Sequence, residues 1–284
     1  MTIREIFVPV FPEIGYMSQL DAALQLSDRL NAHISAVFIR PDVTMAVAAM
    51  PEMVAAGDVT LDAIERDEQA AELKARARFN EWRGLHDLPL DSDGSCPEIR
   101  SIGWRTETGR IESVMASIGR VSDIVVLERP NGDALTERAF DAALFETSCP
   151  TLLVPEKLPS DMTQHVVIAW DRSLEAAQAV AGAMPILRAA ERVSIFSLPD
   201  DQDVSAQARS LADHLAGHGI RAGYLMPEIE AGPVGTALLD AATDEHATLI
   251  VMGAYRHGRA RQLLMGGVTR HVIRNAAIPV LMTH

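Results

Sequence analysis

The chain reads as an α/β protein made of two tandem doubly wound, Rossmann-like domains, each with a five-stranded, mainly parallel sheet. Three observations predict this. Short Val/Ile/Leu-rich runs alternate with longer helical patterns, the same order of runs occurs twice, and a polar stretch with two prolines, Pro155-Glu-Lys-Leu-Pro-Ser-Asp161, separates the two passes. Apolar strands separated by helices of roughly ten or more residues imply parallel strands buried on both faces. Right-handed crossovers wind such a chain into a sheet with helices on either side.

The first pass opens with the β-rich run Arg4-Glu-Ile-Phe-Val-Pro-Val10, then an Ala-rich helical pattern from Leu20 to Asn31 and a strand-like run from Ile34 to Ile39. A long helical pattern, Leu61 to Trp82, carries a solvated face of Glu65, Arg66, Asp67 and Glu68. Helical patterns at Gly109 to Gly119 and Leu135 to Glu146 alternate with the strand runs Asp123-Ile-Val-Val-Leu-Glu128 and Cys149-Pro-Thr-Leu-Leu-Val-Pro155.

The second pass repeats this plan. Gln164-His-Val-Val-Ile-Ala-Trp170 matches the opening run, and Leu174 to Ala190 and Arg192 to Ser197 match the first helix and second strand. Helical patterns follow at Val204 to His218, Val234 to Glu245 and Arg259 to Asn275. Thr248-Leu-Ile-Val-Met-Gly253 and Ile278-Pro-Val-Leu-Met-Thr283 supply the last two strands. Gly217, Gly219 and Gly223 read as turn punctuation before the third strand. The expected domains are residues 1–157 and 162–284, joined near residue 160.

Composition narrows the function classes. The 284 residues are 48% hydrophobic and 23% charged, with a mean hydropathy of +0.08, which fits a folded globular chain rather than a disordered one. No apolar run approaches the ~20 residues that a membrane helix requires. Charges at Arg4 and Glu5 interrupt any leader-like apolar core, so a cytoplasmic location is expected. Asp and Glu outnumber Lys and Arg by 39 to 25, for a net charge of −14, which argues against a nucleic-acid partner. Cys96 and Cys149 stand alone, without the spacing of a disulfide framework or a zinc site, and no structural metal is expected. A Met-, Ala- and Val-rich stretch from Pro41 to Asp58 has two readings: an adaptable cover over a ligand, or a short helix packed on the sheet edge or the other lobe.

Ligands of open α/β sheets bind outside the carboxyl ends of the strands, where the strand order reverses. Two loops of the second pass fall there. One is Ala169-Trp-Asp-Arg-Ser173; the other runs from Met252-Gly-Ala-Tyr-Arg-His-Gly258 to Met265-Gly-Gly-Val-Thr-Arg270 and opens a helix. Small residues before a helix N-terminus let backbone N–H groups approach a phosphate, whose charge the helix dipole favours.

The run Val251-Met-Gly-Ala-Tyr-Arg-His-Gly-Arg-Ala-Arg-Gln-Leu-Leu-Met-Gly-Gly-Val-Thr-Arg270, ending in Asn275-Ala-Ala-Ile-Pro-Val-Leu-Met282, resembles the closing segment of universal stress protein domains. Nucleotide-binding members of that family carry Gly, two residues, Gly, nine residues, then Gly followed by Ser or Thr. The resemblance matches Gly253 to the first glycine and Gly266 to the third. It also implies that Val268 and Thr269 meet phosphate, that Asp171 contacts the nucleotide and that Leu198 lies where the adenine ring sits. The implied ligand is ATP or another adenine nucleotide, held by Ala169, Trp170, Asp171, Leu198, Met252, Gly253, Arg256, Gly258, Gly266, Gly267, Val268 and Thr269.

Two positions depart from the pattern. Arg256 stands where the second glycine is expected, with Gly258 two residues on, and Gly267 replaces the hydroxyl residue. The Arg256 side chain either obstructs the approach that a glycine permits or, with Arg259 and Arg270, grips phosphate directly. Losing the hydroxyl at position 267 costs on the order of 1 kcal/mol. The first pass has Leu127-Glu-Arg-Pro-Asn-Gly-Asp133 where the loop glycines belong, and its Glu128 and Asp133 would repel phosphate. Glu13 lies after its first strand, with no Asp at the matching place. His257 reads as a phosphate ligand, a general acid or a solvated loop histidine.

Three functions compete. The first is a regulatory binding protein that holds an adenine nucleotide in the second domain. The second is a ligand-free scaffold, and the third a slow ATPase. No residue is suited to position an attacking water with a metal, so a non-enzyme is expected. The resemblance further implies that Thr151 to Val154 and Val280 to Thr283 pair with each other, giving an intramolecular pseudo-dimer. A homodimer of the whole chain is a further expectation.

Overall fold

The computed structural model describes residues 2–11, 16–42, 60–91, 100–198, 204–226, 233–255 and 267–284. The first half runs β1 (Glu5–Val10), α1 (Met17–Leu30), β2 (His33–Arg40), α2 (Leu61–Leu85), β3 (Ser101–Thr108), α3 (Ile111–Gly119), β4 (Ile124–Glu128), α4 (Ala134–Glu146) and β5 (Thr151–Val154). The second runs β6 (His165–Ala169), α5 (Leu174–Ala189), β7 (Arg192–Phe196), α6 (Val204–Gly217), β8 (Ala222–Leu225), α7 (Val234–Asp244), β9 (Leu249–Gly253), α8 (Gly267–Asn275) and β10 (Val280–Thr283).

All ten strands form one sheet in the order β3-β2-β1-β4-β5-β10-β9-β6-β7-β8. The order is a repeat: β3-β2-β1-β4-β5 of the first half returns, reversed across the middle, as β10-β9-β6-β7-β8. Neighbours are parallel throughout, except that β5 and β10 pair antiparallel, Leu152 opposite Leu281. Each of these leucines is the second residue of its closing strand, so a pseudo-twofold axis passes between them. The expected pairing of the closing strands is present, and it fuses two five-stranded sheets edge to edge into an internal pseudo-dimer.

Alternate strand residues bury on opposite faces. Ile6, Val8, Val166 and Ile168 pack with Leu20, Phe79, Val180 and Leu211 under α1, α2, α5 and α6. Phe7, Val125, Val167 and Ile250 pack with Met115, Phe140, Leu238 and Val272 under α3, α4, α7 and α8. Equivalent helices therefore cover the same face in both halves, as a twofold axis perpendicular to the sheet requires.

Local signals set the ends. Thr60 caps α2 by accepting from the Ala63 amide, Ser173 caps α5 through Ala176, and Asn31 ends α1 in the left-handed region at φ 54°. Gly219, at φ +80°, makes the turn before β8, whereas Gly223 lies inside that strand instead of preceding it. The connection between the halves is fastened to α1. The Gln25 amide donates to Pro159 O and accepts from the Met162 N–H, each at 2.9 Å, and Arg29 pairs with Asp161. Cys149 is buried in the core, and its burial pushes the thiol pKa up. Cys96 and most of the Met-rich stretch lie outside the described residues. Among the described residues no helix is long and apolar enough to cross a membrane.

Candidate functional site

In the second half the strand order reverses between β6, which leads on to β7 and β8, and β9, which leads on to β10. The carboxyl ends of β6 and β9 lie side by side there, Ala169 opposite Met252. Past Ala169 the Trp170 amide donates to Phe196 O at 2.9 Å, which carries the β6–β7 ladder one residue beyond the strand. Asp171 is exposed, and its Oδ1 accepts the Ser173 N–H at 2.9 Å. Arg172 sits between them at φ 66°, so a left-handed turn delivers the chain to the Ser173 cap of α5. Leu198, past the end of β7, is half-buried against the core under α7 and α8.

Across the crevice Met252 is buried, with 4% of its surface exposed, so its side chain belongs to the core and only its backbone faces the loop side. Gly253 is needed for a close approach. A Cβ there would lie 2.5 Å from Ala176 N and 2.7 Å from Glu175 C, so β9 runs hard against the first turn of α5. Tyr255 takes φ 54°, and its amide donates to Thr269 Oγ1 at 3.4 Å. Thr269 is itself buried. Its hydroxyl thus ties the turn after β9 to the first turn of α8. Gly267, by contrast, is exposed, with no atom of the described residues within 4 Å of where a Cβ would stand, and Val268 is half-buried against the core. The structure therefore gathers Ala169, Trp170, Asp171, Met252 and Gly253 at one end of the sheet and links them to Thr269. Arg256, His257, Gly258 and Gly266 lie outside the described residues.

The equivalent crevice of the first half, between β1 and β4, is built differently. Glu128 ends β4 as Gly253 ends β9, and its Oε1 accepts from Ser18 Oγ, in the first turn of α1, at 2.8 Å. Burial raises the Glu128 pKa; the Ser18 hydrogen bond opposes the rise and Glu156 adds to it. Asp133 caps α4, its Oδ2 accepting from the amides of Leu135 and Thr136. Both carboxylates expected to repel phosphate thus occupy helix starts, where an anion would otherwise be favoured. Pro130 matches Tyr255 in the repeat, and its ring excludes the positive φ that Tyr255 adopts.

Sequence reasoning missed one group altogether. Phe145 of α4 packs against Tyr255, ring centroids 5.5 Å apart and planes tilted by 35°, and meets His284 edge-on at 4.7 Å. His284 Nδ1 lies 3.0 Å from Ala254 O, which assigns it the donor role. Burial raises the Tyr255 pKa; Asp141 and Glu137 of α4 add to the rise and Arg270 opposes it. Both aromatic partners are plain in the sequence, but only the pairing of the closing strands brings them together.

A surface groove of about 520 Å³ lies elsewhere, between α3 and α4. Four of its charges are paired with one another, Arg138 with Glu112 through two hydrogen bonds and Arg120 with Glu146, and it does not reach either strand crossover.

Residues 162–284 match the model of the universal stress protein family. No curated protein matches the chain. A solved universal stress protein from Archaeoglobus fulgidus DSM 4304 aligns with 99% of this chain and 96% of its own, at 14% identity and a TM-score of 0.67. A functionally unknown protein from Pseudomonas aeruginosa PAO1 aligns with 99% of this chain and 92% of its own, at 16% identity and a TM-score of 0.57. These likenesses extend over both halves and show the shared fold. The second half, residues 162–284, is thus the part of the chain that matches the universal stress protein family, and the first half is built on the same strand order.

Proposed function

We propose that this chain is a regulatory binding protein with a single adenine-nucleotide site, located at the β6–β9 crevice of the second half. The contrast between Glu128 and Gly253 carries the reading. In the first half a side-chain carboxylate fills the approach to the first turn of α1, and Asp133 takes the free amides of α4. In the second half a glycine backbone meets α5, and Gly267 opens α8 with no atom of the described residues within 4 Å of where a Cβ would stand. Backbone amides and helix dipole at such a start favour phosphate. Asp171 supports binding rather than turnover, because its Oδ1 holds the Ser173 amide and shapes the turn. Residue matches within the family make ATP the first ligand to try, and the cytoplasm is the compartment in which it would be met.

A ligand-free scaffold is the second reading, and the β5–β10 seam favours it, since the two halves already complete one sheet. A homodimer would then need another surface, because both closing strands are occupied within the chain. Mass spectrometry of ligand released from denatured, freshly purified protein separates the two readings. A stoichiometric adenine nucleotide supports the site. Protein that carries none and takes up no added ATP leaves the scaffold.

A further inference from the structure

We infer that Phe145, in the first half, is a positioning residue for the second-half crevice: its ring backs the Tyr255 turn and thereby makes the first half part of the second half's site. The functional half of this inference rests on the nucleotide reading above, whereas its geometric half stands alone.

Tyr255 holds a left-handed backbone conformation that non-glycine residues adopt at a cost, and such turns persist where their surroundings enforce them. Three contacts enforce this one. The Ala254 amide donates to Thr283 O at 2.9 Å, the Tyr255 amide donates to Thr269 Oγ1, and the Phe145 ring lies against the Tyr255 ring. The first two come from the second half itself; the third crosses the seam. His284 closes the group, its ring edge-on to Phe145 and its Nδ1 donating to Ala254 O.

The contact is also one-sided. The four residues between α4 and β5 match the four between α8 and β10, so Phe145 corresponds to Arg274, and Tyr255 corresponds to Pro130. Neither equivalent is aromatic, and Pro130 cannot take the left-handed turn. The pseudo-twofold axis therefore relates the two crevices but not this aromatic latch, which serves the crevice that keeps Gly253. A residue needed only to pack the seam would have no reason to break the repeat on that side.

Hydrogen exchange and nucleotide affinity, measured on the full-length chain, test the inference with Phe145→Leu, which keeps bulk without a ring, and Phe145→Tyr, which restores one. An aromatic pair is worth roughly a two- to tenfold effect. Phe145→Leu is expected to speed exchange of the Ala254 and Tyr255 amides by about that factor, with β6 and β7 unchanged, and to weaken binding of a fluorescent ATP analogue similarly. Phe145→Tyr should return both to parental values. Unchanged exchange at Ala254 and Tyr255 in Phe145→Leu overturns the inference, as does exchange quickened equally across the whole sheet. Faster local exchange with unaltered affinity overturns its functional half. If the parent binds no analogue, the proposed function fails, and exchange alone decides whether Phe145 holds the turn.

Discussion

Glu128 at the end of β4 accepts a 2.8 Å hydrogen bond from Ser18 in the first turn of α1, at the place where the other half of the sheet puts Gly253 against α5. One repeat position thus carries a half-buried carboxylate in one half and bare backbone in the other. The division of labour proposed for the two halves starts from that difference.

Gly253 is the more constrained of the pair. Gly253→Ala would put a Cβ 2.5 Å from Ala176 N, a backbone atom that moves only with the helix. A loss of about 1–3 kcal/mol is expected, read as a lowered urea midpoint with unchanged slope. An unshifted midpoint would show that β9 and α5 are less tightly apposed.

Glu128 sets a pH dependence. Its folded pKa is raised by burial above the ordinary 4.5, so the protonated form is the better accommodated one. The stability it contributes is fully present below the ordinary value and is lost as pH rises through the folded pKa. Glu128→Gln keeps an acceptor for Ser18 and cannot ionise. Its stability relative to the parent should therefore rise between pH 4 and neutrality, on the order of 1 kcal/mol or less. Parallel stability curves for the two proteins would contradict the burial of that charge.

Asp171→Ala should weaken nucleotide binding several-fold at a small cost in stability, about 1 kcal/mol, because the carboxylate orders the Ser173 turn at the crevice mouth and packs nothing in the core. Isothermal titration with ATP and a thermal melt read the two effects separately. Equal affinity in variant and parent would remove Asp171 from the site.

Arg256 tests the loop itself. If its side chain blocks the loop, Arg256→Gly strengthens ATP binding, and adding Gly267→Ser strengthens it again by restoring a hydroxyl donor. If the guanidinium grips phosphate, Arg256→Gly weakens binding, and the loss shrinks with added salt. The blocking outcome is expected, because two motif positions have changed together. A fluorescent ATP analogue titrated into the parent, the single and the double variant decides.

Much of the fold was legible because strand and helix patterns are local. The Val/Ile/Leu runs mark every strand at the two crossovers to within a residue or two, and the repeat order announced the halves. Gly223 was misread as punctuation because a glycine inside a short edge strand looks like one before it. The site was legible as loops but not as contacts. Gly253 looks like a phosphate glycine, yet the structure also shows it admitting α5, which depends on how β9 meets a helix from a distant segment. Asp133 looked like a repelling charge and is a helix cap, a role set by the amides two and three residues on. Phe145 carried no signal, because its partner Tyr255 comes from the other half.

Native mass spectrometry of the intact chain with increasing ATP tests the central claim most directly, since it counts nucleotides per chain. One bound nucleotide, abolished by blocking the β6–β9 crevice with Gly267→Trp and untouched by Glu128→Gln, is the predicted result. Two nucleotides per chain, or one that survives Gly267→Trp, would contradict a single site in the second half.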